Sequence, residues 1–71
     1  MSYTLDIATA EESVADARAD NAGYYAAYEL AFAEAHLEKA REQAARGHYE
    51  AAIDLARLAD TYAKRALELA G

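Results

Sequence analysis

The chain has 71 residues, a net charge of −6, no cysteine, no proline, and three glycines at positions 23, 47 and 71. That balance excludes disulfides and cysteine-based zinc sites, argues against binding nucleic acid through its phosphates and disfavours anionic membrane surfaces. A chain this short buries only about 60% of its unfolded surface, so stability must come from very regular helix packing or from association with another chain.

Alanine, glutamate, leucine, lysine and arginine dominate, which predicts an all-α protein. No run approaches the roughly 18 consecutive apolar residues of a membrane-spanning helix, so direct membrane insertion is not expected. Met1-Ser2-Tyr3 does not read as the start of a signal peptide.

The first helix is expected over about residues 9–21. Thr9-x-x-Glu12 has capping-box spacing, in which the threonine oxygen accepts from a backbone N–H and the glutamate reaches back. Thr4 is a rival start, because Tyr3 and Ile7 extend the stripe that Ala10, Val14, Ala17 and Asn21 continue. Asp20-Asn21-Ala22-Gly23 reads as a helix stop, since Asn and Gly both enter the left-handed conformation. The alternative is one long helix over 9–46, because a glycine inside a helix costs only about 1 kcal/mol and no proline enforces a break. The break is favoured, because three helices bury more of a small chain's surface.

Helix two is predicted over about 26–46, from Ala26, Leu30, Ala33, Leu37, Ala40 and Ala44 at intervals of three and four. Gly47 then follows Arg46 as a helix stop, and Glu50 suits the positive N-terminus of what comes next. Helix three is predicted over about 50–70, with a nearly pure alanine seam at Ala52, Ala56, Ala59, Ala63, Ala66 and Ala70. Small seams let two backbones approach closely, so the two arms should form a tight antiparallel hairpin. Glu42→Arg46 and Asp60→Lys64 stand in the favourable i,i+4 order on the outer faces.

Helix three has more apolar width than one neighbour covers. Leu55, Leu58, Tyr62 and Leu69 flank the seam on one side, and Tyr49, Ile53 and Leu67 on the other, for an arc of roughly 220°. It must be covered from two sides. On helix two, Tyr28 and Phe32 stand opposite the Leu30/Leu37 stripe. Tyr28, Phe32, Leu55, Leu58, Tyr62 and Leu69 are therefore the candidate interaction surface, because surplus apolar faces mark subunit interfaces or docking sites.

Catalytic, cofactor and metal sites are not indicated. His36 and His48 lack the Glu-x-x-His partners of metal-binding bundles, since Ala33 and Ala45 stand three residues before them, and no His-Glu-x-x-His occurs. Glu12, Asp16 and Asp20, and likewise Glu34, Glu38 and Glu42, form i,i+4 acidic rows that read as solvated faces. Tyrosine, present six times, suits half-buried rims and interfaces.

Two resemblances rest on particular residues. The hinge Ala44-Ala45-Arg46-Gly47-His48-Tyr49, with Glu50-Ala51-Ala52 and Ala56, looks like a tetratricopeptide helix pair, although no 34-residue repeat recurs. Over most of the chain, Ala22-Gly23-Tyr24, Tyr28-Glu29-Leu30, Ala33, Leu37, Ala40, Gly47, Tyr49, Ala52, Leu55-Ala56 and Ala59 are similar to an uncharacterised alanine-rich domain of Gram-negative envelope lipoproteins. That family of unknown function is sometimes joined to outer-membrane-protein-A-like modules that bind peptidoglycan. The resemblance implies a periplasmic, non-enzymatic helical domain and carries over no active-site residue. The family's proline before Tyr-Glu-Leu is replaced here by Ala27, and its lipid-bearing cysteine is missing.

The expectation is a single all-α domain, a three-helix antiparallel bundle with a tetratricopeptide-like helical hairpin and no cofactor. It is expected to act as a self-associating interaction or scaffold module, a dimer, with an envelope protein or peptide as a further partner. A peptide- or protein-binding adaptor is the alternative.

Overall fold

The computed structural model describes residues 3–20 and 22–70, with side chains from Asp6 to Asp20 and from Gly23 to Ala70. These residues form four helices: α1 (Tyr3–Ala19), α2 (Ala22–Tyr25), α3 (Ala27–Ala45) and α4 (Tyr49–Ala70). All the regular structure among them is helical. The assembly measures 35 × 18 × 14 Å, and its long dimension is that of α4, whose 22 residues rise about 33 Å.

Helix α4 lies at the centre of the packing. Its most extensive contact is with α3 and the next with α1, while α1 and α3 touch each other only slightly. Three cross-helix pairs set the directions. Phe32 stacks on Tyr62 across α3 and α4, and the tight turn at Gly47 makes those helices antiparallel. Glu11 meets Arg41 and Arg18 meets Glu34, so α1 runs antiparallel to α3. The two flanks of α4 thus face different neighbours, Tyr62 towards α3 and Asp60 towards α1.

The interior is built almost wholly of alanine. Ala10, Ala17, Ala33, Ala40, Ala52, Ala56, Ala59, Ala63 and Ala66 are completely buried, and Val14 is the largest fully buried side chain. Leu30 and Leu37 complete the core, with Ile7, Leu55, Tyr62 and Ala70 packed against it. Methyl-sized seams bring the helix backbones close together, so attraction comes from backbone and Cβ contact rather than from large interdigitating side chains.

The turn between α3 and α4 is a Schellman motif. Gly47 has φ +80°, its N–H donates to the Ala44 carbonyl at 3.0 Å, and the His48 N–H donates to the Gln43 carbonyl at 2.9 Å. Two carbonyls that the helix end leaves without partners are thereby satisfied. His48 also caps the turn from outside, with Nδ1 donating to Gln43 Oε1 at 2.8 Å.

Three details differ from the sequence reading. Helix α1 begins at Tyr3, six residues before Thr9, so Thr9 is interior to the helix and not its cap. The extension has a physical basis in Ile7 and Ala10, which belong to the apolar stripe facing the core. Second, Gly23 is not a left-handed stop. It lies inside the short helix α2, and Gly47 is the glycine with positive φ among the described residues. Third, the chain between α1 and α3 bends twice, at Asp20 in a turn after α1 and at Ala26, where φ −141° and ψ 53° leave the helical region. A continuous helix over 9–46 is therefore excluded by the geometry at Ala26. Asn21, expected to close the first seam, and the Tyr3 side chain lie outside the described residues.

Candidate interaction surface

Helical spacing places Asp54, Leu58, Arg65 and Leu69 on one line along α4, separated by four, seven and four residues. Tyr62 stands beside that line, on the side that meets α3. There Phe32 stacks on Tyr62 with ring centroids 3.9 Å apart. His36, one turn after Phe32, stacks on it at 3.9 Å as well, and its Nδ1 donates to the Phe32 carbonyl at 2.9 Å. Tyr28, one turn before Phe32, approaches its ring at 6.3 Å. The Arg65 guanidinium lies 4.8 Å from the Tyr62 ring centre, a cation–π contact.

The six predicted residues thus fall on the α3–α4 face remote from α1, in different roles. Phe32 and Tyr62 are half-buried and form the centre of the ring stack. Leu55 is half-buried and turned against the core. Tyr28, Leu58 and Leu69 remain 69%, 43% and 59% exposed, although each is large and apolar. Sequence reasoning missed His36 and Arg65 as members of this surface. The signal was present in the i,i+4 spacing of Phe32 and His36 and the i,i+3 spacing of Tyr62 and Arg65.

On the opposite side, the slight contact between α1 and α3 leaves a groove of about 370 Å³, lined by Glu11, Val14, Arg18, Glu34, Leu37, Glu38 and Arg41. Its floor is apolar, from Val14 and Leu37, and its rim is charged. Arg41 pairs with Glu11 at 2.6 Å and with Glu38 at 3.5 Å, and Arg18 pairs with Glu34 at 2.5 Å. These side chains are substantially exposed, so each pair contributes at most about 1 kcal/mol. The acidic row Glu34, Glu38 is thus partly neutralised by arginines that the sequence reading did not place there.

Polar contacts also tie α1 to α4. Asp60 accepts from the Ser13 hydroxyl through Oδ1, and its Oδ2 meets Lys64 at 3.0 Å. Arg57 approaches Asp6 Oδ1 at 3.6 Å, while Asp6 Oδ2 is buried without a hydrogen-bond partner. Among the described residues no group of three or more His, Cys, Asp or Glu side chains converges on a metal-sized site, and no helix is long and apolar enough to cross a membrane.

A small all-helical domain with an alanine interior and an aromatic outer face is the class these features define. The chain belongs to the family described as Domain of unknown function (DUF4398), whose model matches residues 5–71. Comparison with curated proteins and with solved structures gave no match.

Proposed function

We propose that this domain is a non-enzymatic interaction or scaffold module of the bacterial cell envelope, and that it self-associates through the face carrying Tyr28, Phe32, Leu58, Tyr62 and Leu69. In this reading α1, α3 and α4 act as one three-helix antiparallel bundle, and α3–α4 is its tetratricopeptide-like hairpin. The observation that carries the proposal is the exposure of Leu58 and Leu69 beside the Phe32–Tyr62 stack. Aromatic rings supply large contact area at low entropic cost, and a rim of tyrosine with leucine suits a surface covered by another chain. The periplasmic setting rests on the family resemblance alone.

The adaptor reading calls for an open apolar groove. The groove between α1 and α3 has a charged rim closed by ion pairs, so it favours a peptide partner less than the outer face favours a second copy.

Sedimentation across a concentration series tests the proposal. The wild-type chain is expected to associate, and Leu58→Ala with Tyr62→Ala to shift it towards monomer while helicity is retained. Leu58→Ala alone is the companion variant, because Tyr62 also packs against the core. Unchanged sedimentation in both variants would overturn the assignment of this face.

A further inference from the structure

Resting on the self-association reading, we infer that the partner on the outer face is a second copy of this chain, related by a two-fold axis perpendicular to the helices and crossing α4 between Leu58 and Tyr62. The argument starts from charge. Of the charged residues on α4, Arg57 pairs with Asp6 and Lys64 with Asp60. Glu50, Asp54, Arg65 and Glu68, all exposed, form no ion pair within the described residues, and Arg65 rests on the Tyr62 ring instead; of these four, Asp54 and Arg65 lie on the outer face. They share the line that carries Leu58 and Leu69, eleven residues and about 16 Å apart.

Antiparallel packing of α4 on its own copy about that axis brings Asp54 of one chain opposite Arg65 of the other, twice by symmetry. The same operation brings Leu58 and Tyr62 of both chains together around the centre. A closed isologous dimer requires this self-complementarity, in which each residue meets the partner of its own partner.

Helix α3 obeys the same axis. In the antiparallel hairpin, Phe32 lies level with Tyr62, so Tyr28 lies towards the Arg65 end of the face and Lys39 towards the Asp54 end. The two-fold axis then places the exposed Tyr28 ring opposite the exposed Lys39 of the second copy, a pairing of aromatic face and ammonium. The apolar centre supplies contact, and the flanking charges fix register and direction.

Charge reversal tests the register. Asp54→Arg and Arg65→Asp are each made at exposed positions, and sedimentation is measured at low salt with circular dichroism to establish folding. Each single variant should weaken self-association roughly tenfold, because two attractive pairs become repulsive. The double variant should recover most of the wild-type affinity, and an equimolar mixture of the two single variants should associate better than either alone. A wild-type chain that associates while both reversals leave it unchanged would overturn the axis and leave self-association standing. A wild-type chain that stays monomeric at every concentration would overturn both.

Discussion

Among single residues, two glycines show how one substitution takes opposite signs. Gly47 has φ +80°, and a Cβ added there would meet nothing within 4 Å, so alanine clashes with no neighbour but adopts a backbone conformation that an L side chain resists. Gly47→Ala should destabilise the domain by about 1 kcal/mol. Gly23 lies within α2 without a positive φ, and a Cβ there would stand 3.6 Å from Leu30 Cδ2, an ordinary contact. Gly23→Ala should therefore stabilise by about 0.5–1 kcal/mol, through helix propensity and a less flexible unfolded chain. Urea denaturation of the two variants beside the wild type measures both; the same sign for the two would contradict these backbone assignments. The left-handed glycine at 47 was readable from its place after a basic residue. Gly23 misled, because Asp-Asn-Ala-Gly is equally good stop chemistry, and a helix of four residues is too short to carry a periodic signal.

Among the helices, periodicity found the long ones because alanine seams at three- and four-residue spacing admit no other regular structure. It failed at the ends, where a seam does not announce its first member. Thr9 carries good capping chemistry, yet Ile7 pulls α1 further towards the N-terminus by packing on the core. The start of α3 shows the converse, a helix entry with almost no chemical mark. Ala26 precedes the helix without any side-chain cap, although an Asn, Asp or Ser there would satisfy an orphan N–H. Ala27 is the first helical residue, the position where proline is best tolerated because its missing N–H has no helical partner. Ala26 already stands outside the α region that a following proline disfavours. Ala27→Pro should therefore change stability by less than about 1 kcal/mol, because the gain from restricting the unfolded chain is offset by moving Ala26 from ψ 53° towards the roughly +120 to +160° that a following proline prefers. Thermal unfolding followed by far-ultraviolet circular dichroism checks this, and a loss of helicity would mean that the α2–α3 bend is not fixed as described.

For the domain taken together, the outer face was legible as a surplus of apolar width on α4, but its organisation was not. A helical wheel places Phe32 and Tyr62 on their own helices, and only the hairpin register brings the two rings together. The charged groove between α1 and α3 was likewise invisible, since it depends on how slightly those helices touch. An alanine interior has a further consequence. It stabilises through many small contacts and leaves little reserve in a 71-residue chain, so covering Leu58, Leu69 and Tyr28 on association would add a large share of the total. Mass action then ties unfolding to concentration, because the associated state binds only folded partners. The wild-type midpoint should rise by several degrees between about 1 μM and 1 mM chain, given that about 1 kcal/mol shifts a domain of this size by roughly 4–8 °C. Leu58→Asp places a charge at the centre of the face while leaving the buried seam intact, and its midpoint should be independent of concentration. Differential scanning calorimetry of both chains decides the matter. Parallel concentration dependence would show that association runs through another surface, and a flat wild-type midpoint would show that the exposed leucines are stable in water without a second copy.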